Sequence, residues 1–64
     1  MRAFKIVFCW ATPTPIPITY KGDDLLIDCK YFIVYANSQR NVIEDLKGTD
    51  SKIISNINKI IEWN

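Results

Sequence analysis

Prolines at positions 13, 15 and 17 recur at every second residue of the stretch Ala11–Ile18, and no other feature restricts the fold as much. Each proline ring fixes φ and removes a backbone donor, so the stretch is extended and cannot lie inside a helix. In a strand, alternate residues direct their N–H groups to opposite edges. Prolines spaced by two therefore strip donors from one edge only and leave the other free to pair. A P-x-x-P ligand needs prolines three apart, which argues against an SH3-type recognition segment. The spacing instead predicts an edge strand whose outer side is blocked.

The hairpin that follows tests this reading. Lys21-Gly22-Asp23-Asp24 is a turn signal between two apolar runs. A four-residue loop would set Tyr20 opposite Leu25, Ile18 opposite Ile27 and Ile16 opposite Cys29, with Pro17 pointing its missing donor outward. Thr19 and Leu26 would then share the opposite face with Pro17 and Asp28. The next run, Leu25 to Ala36, would reach about 40 Å if fully extended. A domain of this size has a radius of gyration of about 11 Å, so the run must bend. The alternation slips near Tyr31-Phe32, where a bulge is expected.

Phe4 to Trp10 is rich in β-branched and aromatic residues on both faces, which predicts a central strand. Asn37-Ser38 can cap a short helix that places Val42, Ile43 and Leu46 on one side and ends at Gly48. Thr49-Asp50-Ser51 offers a second N-cap. After it, Ile53, Ile54, Ile57, Ile60 and Ile61 follow the i, i+3, i+4, i+7 pattern of an amphipathic helix running to Trp63. It is too short for a coiled coil. The expected architecture is α+β, with residues 1–64 as one domain. A three-stranded, mainly antiparallel sheet in β-β-β-α-α order, spatial order 2-3-1, would carry the C-terminal helix on one face.

Composition removes most chemistry. There is no histidine, which eliminates the common catalytic triads. Cys9 and Cys29 form no C-x-x-C pair and, within apolar strands, are expected to be buried free thiols; a disulfide between neighbouring strands is the alternative. Without histidine or a C-x-x-C pair, a structural zinc site is not expected. Asp23 and Asp24 at a hairpin tip read as turn formers and solvated charges. The chain's glycines, Gly22 and Gly48, build no phosphate loop. Neither a catalytic residue, a cofactor nor a metal is expected.

Eight basic and seven acidic residues nearly cancel, and the basic ones never cluster, unlike the dense cationic stripe of nucleic-acid binders. No apolar run approaches the roughly 20 residues of a membrane span. Lys5 and the prolines spoil a signal-peptide reading of the start. The chain reads as complete and cytoplasmic.

Binding is what remains. A core this small adds only about 3–5 kcal/mol of net stability, and Trp10, Tyr20, Tyr31, Phe32, Tyr35 and Trp63 exceed what one helix comfortably covers. The sheet face away from the helix would carry Lys5, Val7, Cys9, Thr19, Leu26, Asp28 and Lys30. Trp10 and Tyr35 are candidate anchors beside it. That mixture is too apolar for water and too polar for a core. The expectation is a small, non-enzymatic protein-binding module, an inhibitor or regulatory adaptor of a larger protein, a size class that includes phage-encoded inhibitors. A homodimer with a structural role is one alternative. A binder of single-stranded nucleic acid through Tyr31, Tyr35 or Trp10 is another, though it lacks a basic surround.

Overall fold

In a computed structural model that describes residues 1–9 and 15–63, the elements run β1 (Arg2–Phe8), β2 (Ile16–Tyr20), β3 (Asp23–Ile27), β4 (Tyr31–Ala36), α1 (Gln39–Asp45), α2 (Ser51–Ile54) and β5 (Ile57–Trp63). The class is α+β and every strand pair is antiparallel. The strands form two sheets, a three-stranded β4-β1-β5 and a two-stranded β2-β3. Trp10, and with it the end of the expected first strand, lies outside the described residues.

The largest departure from expectation is at the C terminus. The isoleucine-rich segment is helical only over α2, and from Ile57 onward it is a strand paired with β1. Isoleucine is β-branched and favours a pleated surface over a helix. Furthermore, β1 is apolar on both faces and offers two edges, of which β4 fills one; a helical C terminus would have left the second bare. The register slips between Val7 and Phe8, where Asn58 is skipped as a bulge.

The second departure splits the Leu25–Ala36 run. It breaks at residues 28–30 into β3 and β4, three residues before the expected irregularity, and its halves join different sheets. The expected sheet order therefore does not form, although β1 does pair with Tyr31–Ala36.

The hairpin register also differs. Tyr20 opposes Asp23, Ile18 opposes Leu25 and Ile16 opposes Ile27, leaving Lys21 and Gly22 as a two-residue loop. Both loop residues have positive φ, 51° and 82°, the requirement of a type I′ turn. The shift is two residues, so each side chain keeps its expected face, and Pro17 still turns its missing donor away from β3. That outer side of β2 is closed. Thr19 N–H donates to Thr49 Oγ1 at 2.8 Å, the Thr49 hydroxyl donates back to Thr19 O at 3.0 Å, and Lys21 N–H donates to Asp45 O at 2.8 Å. Gly48, at φ 98°, brings Thr49 there, and a Cβ on it would sit 3.4 Å from Thr19 Cγ2.

The core is built from the inner face of the large sheet, the hairpin and α1. Phe4, Ile6 and Phe8 of β1, with Phe32, Val34 and Ala36 of β4, meet Ile16 and Ile18 of β2 and Val42 and Leu46 of the α1 turn. Phe8 and Phe32 stack at a centroid separation of 6.0 Å. Thus α1 and the hairpin do the covering expected of a C-terminal helix. Ser38 caps α1 as expected, its Oγ accepting from Asn41 N–H at 3.3 Å, whereas Ile43, expected beside Val42, is exposed.

Candidate functional site

Strand periodicity fixes the outer face of the large sheet. With Phe4, Ile6 and Phe8 turned into the core, Ala3, Lys5 and Val7 must face away from it. Register places Tyr31, Ile33 and Tyr35 of β4 on one side of that row and Lys59, Ile61 and Trp63 of β5 on the other. Tyr31, Ile33, Tyr35, Ile61 and Trp63 are all exposed, Tyr35 by 61% and Trp63 by 51%. These five are more than half of the large exposed hydrophobic side chains among the described residues, and the two strands that flank β1 hold them on one surface. Scattered exposed apolar residues need no explanation, but a contiguous rigid set does.

Lys5 is the centre of this surface. Its ammonium sits 4.4 Å from the centroid of the Tyr31 ring and 4.8 Å from that of Trp63, each ring reaching it diagonally from a neighbouring strand. Lys59 is the other cation on this face. None of the seven acidic residues of the chain lies on it: Asp23, Asp24 and Asp28 belong to the hairpin and its exit, Glu44, Asp45 and Asp50 to the helical segment. Glu62 alternates onto the inner side of β5, where its Oε1 pairs with Arg2 at 3.3 Å.

Of the residues expected at a binding face, the structure brings together Lys5, Val7 and Tyr35. Thr19 and Leu26 stand instead on the outer side of the separate hairpin, where Thr19 Oγ1 donates to Asp24 Oδ1 at 3.1 Å and Leu26 is 68% exposed. Asp28 and Lys30 lie in the connection between β3 and β4. Because both sheets turn their other sides to one core, the hairpin's outer side and the large sheet's outer face look away from it separately. Sequence reasoning missed Ile33, Lys59, Ile61 and Trp63 as members. The alternation Tyr31, Ile33, Tyr35 would have revealed Ile33; the others were hidden by the helical reading of the C terminus.

The cysteines correct a further expectation. Cys9 and Cys29 are free but exposed, because each falls just beyond a strand end. Their Sγ atoms engage different partners, Asn56 Oδ1 at 3.7 Å and Tyr31 O at 3.1 Å respectively.

Among the described residues no pocket is present, no cluster of potential metal ligands occurs, and no helix is long and apolar enough to cross a membrane. The Tyr20 phenol is raised above its ordinary value, chiefly by burial and further by the Asp45 carboxylate. Tyr20 lies at the end of β2, where its hydroxyl donates to Tyr35 O at 3.1 Å and so ties the hairpin to the edge of β4.

Comparison with protein-family models, curated proteins and solved structures finds no match to this chain.

Proposed function

We infer that the chain is a small, non-enzymatic protein-binding module, an inhibitor or regulatory adaptor, that contacts a larger protein through the outer face of β4-β1-β5. One observation carries this reading: Tyr31, Ile33, Tyr35, Ile61 and Trp63 stand exposed on a single three-stranded surface around Lys5. Tyrosine and tryptophan are the residue types enriched at the energetic centres of interfaces, where their rigid rings add contact area at little entropic cost. Central pairing of β1 on both sides keeps the surface pre-organised, which lowers the cost of association.

A second copy of the chain is a poor occupant of the same face. Two copies face to face would cover four ammonium groups, two of Lys5 and two of Lys59, with no acidic side chain on either face to pair with them, and uncompensated buried charge opposes an interface.

The test is a nuclease-treated pull-down from lysate of the natural setting, run in parallel with wild-type protein and a Tyr35→Ala/Trp63→Ala variant of matched thermal stability. The expected outcome is one stoichiometric protein retained by the wild type and lost by the variant. Identical recoveries from the two baits would refute the assignment of this face.

A further inference from the structure

We propose that Lys5 makes this face selective for a partner surface that presents a carboxylate within an apolar setting. The proposal rests on the protein-binding reading above and names the partner's chemistry. Lys5 comes from the middle of the central strand, so any partner that covers Tyr31 and Trp63 also covers its ammonium. A cation buried without a counter-charge is strongly unfavourable, whereas a carboxylate in reach restores what water supplied. A neutral apolar partner would therefore be rejected by the same residue that welcomes an acidic one.

Three features prepare Lys5 for this. The two rings hold the ammonium from either side, so part of the cost of ordering a long side chain has been met before binding. No acidic side chain competes for it, since all seven acidic residues lie elsewhere. Lys59, opposite Val7, adds positive potential that favours approach of an anion. Nucleic acid, a polyanion, is disfavoured because a strand of phosphates is tracked by a groove of many cations, and among the described residues this face has two cationic side chains, Lys5 and Lys59.

The experiment is a titration of the isotopically labelled full chain, followed by amide chemical shifts, with three probes at low and high salt. They are acetyl-Leu-Glu-Leu-Glu-Leu-amide, its glutamine counterpart, and a ten-nucleotide oligothymidine. The expected result is saturable shifts in β1, β4 and β5 with the glutamate peptide, weakened about tenfold by the glutamine peptide and by Lys5→Met, and restored in Lys5→Arg. Equal shifts with both peptides would overturn the carboxylate selectivity while leaving a protein-binding face intact. A response to the oligothymidine alone would overturn both readings in favour of nucleic acid. Shifts absent from this face with every probe would remove the face itself.

Discussion

The two faces of β1 have the same backbone and opposite duties. Phe4, Ile6 and Phe8 point inward and are buried, whereas Ala3, Lys5 and Val7, on intervening residues, point to a surface that nothing among the described residues covers. The inner row is matched by buried Phe32, Val34 and Ala36, and the outer row by exposed Tyr31, Ile33 and Tyr35. Lys5 apart, both rows are apolar, so hydrophobicity alone does not separate core from site. What separates them is which side α1 and the hairpin occupy. The outer row could be polar at little cost to folding, and its aromatic content is therefore informative about binding.

The comparison breaks if the rows respond alike to truncation. Ile6 is fully buried, and Ile6→Ala should cost about 2–5 kcal/mol through lost burial and a residual cavity. That is comparable to the whole stability of a domain this small, so the variant should be largely unfolded at 25 °C. Tyr35→Ala should change stability by no more than about 0.5 kcal/mol. Urea denaturation followed by tryptophan fluorescence and circular dichroism measures both. A loss for Tyr35→Ala near that of Ile6→Ala would mean that the outer row is structural and would remove the case for a binding face.

How far this division could be read in advance depended on periodicity. Lys5 and Val7 were legible as neighbours because period-two alternation in β1 puts them on one face, whereas Tyr35 was legible only as an anchor beside that face, because the alternation slips at Tyr31-Phe32. The C terminus was not, because Ile57, Ile60 and Ile61 satisfy helical spacing while Lys59, Ile61 and Trp63 also alternate as a strand. The deciding interaction is the vacant edge of β1, more than fifty residues away in sequence at Ala3–Trp63, and no local pattern reports it. Thr19, Leu26, Asp28 and Lys30 were grouped with Lys5 because Leu25–Ala36 reads as one strand; its division at residues 28–30 sends the two halves to different sheets. In the hairpin, the outward turn of Pro17's missing donor was legible, but the two-residue loop was not, since it places Lys21 in a left-handed conformation that a lysine rarely adopts. The hydrogen bond from Lys21 N–H to Asp45 O helps hold it there.

A smaller effect sharpens a related contrast, between an edge that is closed and a face that is open. The Thr49 hydroxyl both accepts from Thr19 N–H and donates to Thr19 O, standing in for the neighbouring strand that β2 lacks. Thr49→Val keeps the shape and removes both bonds, leaving a partly buried donor and acceptor unpaired. The expected loss is about 1–2 kcal/mol in urea denaturation, with faster hydrogen exchange at the Thr19 amide and no change at Lys5 or Val7. Unchanged exchange at Thr19 would show that the hydroxyl is not what seals this edge.

The smallest effect concerns Tyr20, the residue that joins the hairpin to the large sheet. Burial, and then the Asp45 carboxylate, raise its phenol above the ordinary value of 10.0. The unfolded chain therefore gives up this proton at lower pH than the folded one. The contribution to stability is accordingly complete below pH 10 and is lost as pH climbs from there through the raised folded value. Because the ring is only partly buried, solvent limits the effect, and denaturation midpoints should fall only gently above pH 10. Tyr20→Phe removes the titration and the bond to Tyr35 O together, so it should lower stability at neutral pH yet flatten the alkaline decline. Absorbance at 295 nm, which follows phenolate formation, would show Tyr20 as a component rising above pH 10 that disappears in the variant. An alkaline decline of the same slope in Tyr20→Phe would assign it to other groups and would leave the hairpin's attachment to β4 with the hydrogen bonds alone.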